Sequence, residues 1–252
     1  MMAICLSNIT DPNKDRRNQR EEKYKYALSQ LGCTVEQAAQ LLIILTDAIE
    51  EAAQKGTSLD FLGEIYMDLG LGSHYHGQYF TPYDCAVLSA EMMLVPEDVK
   101  KKIEDDGYIS VADPSGSGSG VMLLAAADKL KTMGYNYQTQ AFFIGQDIDR
   151  IVAQMCYIQL SLLGCAGYVC VANAIKNPIV GSDATNSVLV PMEMKNQEFY
   201  YTPFYYRDVW QTRITMEQAK SIILNSFAST NDDKTIPMEK KESKSDKKDK
   251  AS

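Results

Sequence analysis

The chain has 252 residues, 45% of them hydrophobic, which is enough for one sizeable core. Its net charge of −8 argues against free-standing binding to duplex DNA, because such binding draws its affinity from a basic face that neutralises phosphates. Six scattered cysteines without a C-x-x-C pair fit reduced thiols rather than a disulfide framework or a zinc site.

The N-terminal MMAICLSNIT has no basic n-region and too short an apolar run for a signal peptide. No stretch approaches the roughly 20 apolar residues of a membrane span, so a cytoplasmic protein without a membrane segment is expected. Residues 11–30 are polar and charge-dense and predict a solvated helix that acquires an apolar stripe toward Leu31. Thr34 and Gln37 have the spacing of a capping box. They open a helix in which Leu41, Leu42, Leu45 and Ile49 recur at helical spacing, ended by Gly56. A third helix follows from Ser58, carries Phe61, Leu62, Ile65 and Tyr66, and stops at Gly70–Gly72. Residues 1–72 thus read as a helical N-terminal element.

Tyr83 to Leu94 is predicted helical, with Pro82 near its start. From Tyr108 the pattern changes. YISVADP is a short strand ending in a turn, GSGSG a loop, and VMLLAAADKLKTMG a helix closed by Gly134. QAFFIGQDID is a second strand, RIVAQMCYIQLSLLG a second helix, and AGYVCVAN a third strand. This alternation is the signature of an α/β fold with a parallel sheet. Further on, Ser187–Pro191 and Phe199–Tyr201 are candidate strands and Thr215–Phe227 a candidate amphipathic helix. Residues 229–252 combine mixed charge with almost no apolar side chain and are expected to be disordered.

Chemistry concentrates between Gly77 and Asn173. Gly116, Gly118 and Gly120 follow Asp113 at a strand–helix junction, where main-chain amides and a helix N-terminus can approach a ligand. The next strand ends at Asp147, placed to accept both hydroxyls of a ribose, and the third ends at Asn173, placed to reach a base edge. A P-loop is excluded, since no G-K-(S/T) follows the glycines. The spacing G-x-G-x-x-G of nicotinamide-dinucleotide sites is not met, because Gly120 comes one residue too early. Seen alone, GSGSG is also an ordinary flexible turn.

Four ordered motifs tip the balance. Gly77-Gln78-Tyr79-Phe80-Thr81-Pro82 resembles the G-Q-(Y/F)-(F/Y)-T-P motif of the methylation subunits of type I restriction-modification systems and their small phage or mobile-element relatives. Asp113-Pro114 with Gly118-Ser119-Gly120 and Met122-Leu123-Leu124 resembles the D-P-x-x-G-S-G-x-x-L loop of these N6-adenine DNA methyltransferases. Gly145-Gln146-Asp147-Ile148-Asp149, continued by Ala153, Met155 and Ile158-Gln159-Leu160, is similar to their G-x-(D/E)-I-D strand end and following helix. Val171-Ala172-Asn173-Ala174-Ile175 is similar to their G-N-T-L turn, with Ala172 in place of glycine. Upstream, Asp60 to Tyr66 also matches the way the family enters its first motif.

The resemblance implies a Rossmann-like class I methyltransferase sheet, complete or truncated, over residues 73–228, with S-adenosylmethionine as cofactor and adenine N6 in DNA as methyl acceptor. It implies that Tyr79, Phe80, Thr81 and Pro82 shape the methionine side of the pocket. Asp113 and the amides around Gly118 and Gly120 would hold the amino-acid moiety. Asp147 would take the ribose hydroxyls, Ile148 would pack on the adenine, and Asn173 would bond its edge. Asp149 reads equally as a helix cap.

Two departures stand out. The loop from Asp113 to Gly118 carries one residue more than the family's, which leaves its glycine assignment open. The motif N-P-P-(Y/F) is not found. In the family it follows the fourth strand, holds the target amino group and stacks on a flipped base. Asn177-Pro178-Ile179-Val180 comes too soon, whereas Tyr201, Pro203 and Phe204 keep a Pro-aromatic pair at a better distance without the amide. Both also read as plain loop prolines. Three roles stay open: an active DNA methyltransferase with a divergent loop, a silent cofactor-binding relative serving as an assembly partner, or, with least support, a nucleotide-dependent oxidoreductase on a similar sheet. In the first two, DNA specificity is expected from another subunit.

His74 and His76 have metal-sharing spacing but no third ligand nearby, so no metal is expected. Trp210 with Tyr200, Tyr201, Phe204, Tyr205 and Tyr206 either stacks bases or builds core.

Overall fold

The computed structural model describes residues 1–71, 80–182 and 186–232, with side chains to 225. Tyr79, the histidines 74 and 76, and residues 233–252 of the tail expected over 229–252 lie outside the described residues, while 229–232 belong to the last helix.

The chain opens with α1 (Met2–Thr10), α2 (Lys14–Leu31), α3 (Val35–Lys55) and α4 (Phe61–Asp68). The capping box forms as its spacing requires: Gln37 N–H donates to Thr34 Oγ1, and Thr34 N–H to Gln37 Oε1. Helix α2 is largely exposed, as a solvated helix should be, but the apolar stripe expected toward Leu31 does not form, since Leu31 is itself exposed. Leu28 is its one buried residue, and it docks through arginines instead of an apolar stripe. Arg20 pairs with the buried Asp11 at 2.7 Å and donates to the Phe199 carbonyl, and Arg16 pairs with Glu193 at 3.0 Å. Charged heads meeting fixed acceptors leave no trace in hydrophobic periodicity.

After α5 (Tyr83–Met93) and α6 (Pro96–Asp106) come β1 (Ile109–Asp113), α7 (Val121–Thr132), the short α8 (Tyr137–Gln140), β2 (Ala141–Asp147), α9 (Arg150–Leu162) and β3 (Ala166–Val171). β4 (Glu198–Tyr201), a 3-10 turn (Pro203–Tyr206) and α10 (Asp208–Asp232) complete the order. The sheet runs β1-β2-β3-β4, with the first three strands parallel and β4 antiparallel to β3. This is a mixed α/β fold. Ser187–Pro191 does not form a strand, and contributes only a bridge from Pro191 to Gly181. The last helix begins at Asp208, ahead of the expected Thr215, because Trp210 and Ile214 are already needed as core.

Both sheet faces are covered. Phe143, Val169 and Tyr200 share one core with α7, α9 and the N-terminal helices, through Leu124, Cys156, Leu45 and Ile49. Phe142, Ile144, Tyr168 and Phe199 share the other with Leu189, Trp210 and Ile214. β2 and β3 are buried along almost their whole length, as central strands must be. β1 is an edge strand, with Ser110 and Ala112 exposed.

Candidate functional site

Parallel pairing brings the ends of three strands together: Asp113 lies opposite Gly145, and Asp147 opposite Val171. The loop after β1 folds over the end of β2. Gly116 and Ser117 donate their N–H groups to the Gln146 carbonyl at 3.1 and 3.0 Å, and Gly118 N–H donates to Asp147 Oδ2 at 3.0 Å. The loop then tightens as Gly120 N–H donates to the Ser117 carbonyl at 2.7 Å and opens α7 as its N-cap.

These bonds give the two glycines different tasks. Gly118 serves Asp147, while Gly120 lets two helices approach: at its φ of +97° a Cβ would stand 2.8 Å from Cys156 Sγ on α9. The N–H groups of Gly118 and Gly120, expected at a ligand, donate within the protein.

Asp147 Oδ1 accepts from Asp149 N–H at 2.8 Å, so each carboxylate oxygen holds one main-chain donor and keeps a further lone pair. Asp149 itself caps α9, accepting from Ile151 and Val152 N–H at 2.8 and 3.4 Å. Asn173 Oδ1 is taken by the N–H groups of Ile175 and Lys176, both at 3.0 Å. Its amide nitrogen carries the side chain's donors. A cleft of about 180 Å³ lies between these parts, lined by Ser115, Gly116, Gln146, Asp147, Ile148 and residues Ala172 to Ile175. Ile148 is 67% exposed at its rim, an apolar side chain without cover.

Asp113 is held above the ordinary carboxylate range, chiefly by burial and further by the charge of Asp147, against a hydrogen bond from the Ser115 main chain. A second hollow, about 450 Å³, lies beside the loop and is lined by Asp60, Glu64, Phe80, Thr81 and Pro82 among others. Phe80 stacks on Tyr66 with ring centres 5.2 Å apart, and its ring would touch a Cβ at Gly118 at 3.6 Å. The motif ahead of the sheet thus packs on the glycine loop.

Tyr201, Pro203 and Phe204 are not brought to this site. β4 runs antiparallel, so it carries Tyr201 away from the strand ends that bear Asp113 and Asp147. Thr202 exchanges hydrogen bonds with Gly167 at the start of β3, and Phe204 lies against Gly164 just before it. The separation along the sheet is roughly 15 Å at strand rise. Tyr201 is buried, donating to Glu193 at 2.7 Å. Trp210 is core, 0% exposed, its indole N–H on the Gln138 carbonyl at 2.9 Å.

Sequence reasoning passed over a buried polar knot behind the loop. Asp60 accepts from Ser119 Oγ at 2.7 Å, from Gln159 Nε2 at 2.8 Å and from Gly63 N–H at 3.2 Å. Gln159 Nε2 also donates to the Ser119 carbonyl at 2.9 Å, while its Oε1 accepts from Leu62 N–H. Gly63 is obligatory there, since a Cβ would fall 2.2 Å from the Asp60 carboxylate. The signal was a polar Gln159 inside the apolar face of α9.

Among the described residues no cluster of three or more His, Cys, Asp or Glu stands ready for a metal ion, and no single helix is long and apolar enough to cross a membrane. A family model described as N-6 DNA methylase matches residues 58–231, beginning just ahead of Asp60. No curated protein and no solved structure matches the chain.

Proposed function

The chain belongs to the N-6 DNA methylase family, and on that premise we propose that its cleft binds S-adenosylmethionine and that it serves methylation of adenine N6 in DNA. The observation that carries the reading is Asp147, a carboxylate fixed by two main-chain N–H groups with a lone pair left on each oxygen, at the mouth of a cleft between parallel strand ends. That donor and acceptor set fits a nucleoside: a diol for Asp147, a flat apolar base for Ile148, and a ring nitrogen for the Asn173 amide. The chain's part of the sheet corresponds in this reading to the cofactor-binding half of a Rossmann-like class I methyltransferase.

When bound, the cofactor supplies a methyl group on a positively charged sulfur, the electrophile of the reaction. Phe80, Thr81 and Pro82, with Tyr79 preceding them in sequence, would shape the methionine side. Asp113 would accept from the ligand's ammonium group, and the N-terminus of α7 would face its carboxylate. The target amine must be aimed by another group, since Tyr201, Pro203 and Phe204 sit at the opposite end of the sheet. With a net charge of −8, contact with DNA phosphates and sequence recognition fall to another subunit, as in a restriction-modification assembly in the cytoplasm.

A second reading, a silent cofactor-binding partner, is favoured by that same distance between the Pro-aromatic pair and the cleft. Calorimetric titration with S-adenosylmethionine, S-adenosylhomocysteine and NAD tests the cleft. Binding of the first two without NAD supports it, and binding of none removes it. Transfer of labelled methyl to adenine in DNA then separates the two readings.

A further inference from the structure

Gln146, the penultimate residue of β2, is fully buried. Its main-chain carbonyl accepts from Gly116 and Ser117 N–H, and so holds the glycine loop. Its side-chain Nε2 donates to the Asn177 carbonyl at 2.9 Å and, more weakly, to the Ala172 carbonyl at 3.5 Å. One residue therefore touches both walls of the cleft. The wall beyond β3 is a turn closed by Asn173: its carbonyl accepts from Asn177 N–H at 2.8 Å, and its Oδ1 from Ile175 and Lys176 N–H. From outside, Gln197 Nε2 donates to the same Asn177 carbonyl at 3.0 Å and to the Pro178 carbonyl at 3.3 Å.

Gln146 Oε1 is buried and has no hydrogen-bond partner among the described residues. Burial penalises a lone acceptor, and an apolar side chain of equal length would fill the space without that cost. What the amide adds is the pair of donors to the turn. We propose that Gln146 is a positioning residue that couples the two walls of the cleft, holding the Ala172–Asn177 turn against the glycine loop so that Asn173 and Asp147 meet one ligand. This rests on the cofactor reading above.

The test uses the full chain and the variant Gln146→Met, which keeps length and apolar volume and removes the donors. Hydrogen exchange without ligand reads the amides of Ile175, Lys176 and Asn177, and calorimetry reads the affinity for S-adenosylhomocysteine. The expected result is exchange at those amides faster by about tenfold and affinity weaker by about tenfold, with the amides of β2 and β3 still protected. Unchanged exchange at the turn, or loosened exchange with unchanged affinity, overturns the proposal. If Gln146→Met does not fold, Gln146→Asn takes its place, being one methylene too short to reach Asn177, with the same outcomes deciding. A wild-type protein that binds no adenosine ligand would sink the cofactor reading instead, and the exchange data would still decide whether Gln146 ties the walls together.

Discussion

Ser119 Oγ donates to Asp60 Oδ2 across 2.7 Å, in a region where both residues are almost wholly buried. The bond spans 59 residues of sequence and ties the cap of α4 to the loop that opens α7. A carboxylate buried there must be matched by donors, and Gln159 and Gly63 provide the others.

Burial pushes the Asp60 carboxyl above its ordinary range, against the opposing pull of those hydrogen bonds. Asp60→Asn keeps an acceptor for Gln159 and Gly63, and its new NH2 group can donate to the Ser119 hydroxyl, so it should stay within about 1 kcal/mol of wild type at neutral pH. Asp60→Ala leaves several donors stranded and should cost about 2–3 kcal/mol. Because the folded pKa lies above the unfolded one, the proton is held more tightly in the folded state. The charge penalty is complete above the folded value and relieved as pH falls through it. Wild type should therefore gain on Asp60→Asn as pH drops toward the ordinary aspartate range. Urea melts across that range would show it, and a gain at rising pH instead would reject the assignment.

Gly120→Ala tests the packing of α7 on α9. A left-handed φ alone costs a residue with Cβ about 1–2 kcal/mol, and the contact with Cys156 Sγ adds to it. The cycle with Cys156→Ala should recover the steric part and leave the conformational part. Strict additivity of the two changes in denaturant melts would mean that Cys156 does not set the distance.

Much of this was legible in the sequence, and the gaps have physical causes. The run β1, α7, β2, α9, β3 was readable because strand ends and helix caps carry their own residues: Asp113, Gly120, Asp149 and Gly164 all punctuate where expected. Asp147 and Asn173 could be placed because the alternation of strands and helices fixes where β2 and β3 end. The Asp60–Ser119–Gln159 knot joins residues far apart in the chain, and no local pattern announces a buried side-chain bond. In α2 the solvated helix was legible but the apolar stripe toward Leu31 was not borne out, because arginines dock it. β4 was found as a strand, yet its antiparallel direction, which removes Tyr201 from the cleft, depends on pairing with β3 alone.

Tyr201→Phe follows from that direction. It deletes the hydroxyl that donates to Glu193 and leaves the ring packing on Tyr205, whose centre is 4.6 Å away. Stability should fall by about 1 kcal/mol, with affinity for S-adenosylhomocysteine and any methyl transfer unchanged. A loss of transfer at constant stability would return Tyr201 to the catalytic candidates.

Asp147→Ala bears on the cleft most directly. The carboxylate is half-exposed at the rim, so water can replace it as acceptor for Gly118 and Asp149, and the fold should survive at a cost of about 1–2 kcal/mol. The ligand has no such substitute. Two hydrogen bonds from a diol to an ionised acceptor contribute about 1.5–3 kcal/mol each, so affinity for S-adenosylhomocysteine should fall by at least about a hundredfold. A second readout is independent of ligand. Asp113 is raised first by burial and then by Asp147, so removing that charge should lower the Asp113 pKa while burial keeps it above the ordinary range. Carbon-detected NMR titration of the aspartate carboxyls would follow it. If Asp113 shifts downward and affinity holds, the two carboxylates are neighbours as described but the ribose does not lie on Asp147, and the nucleoside must be sought in the larger hollow beside Phe80.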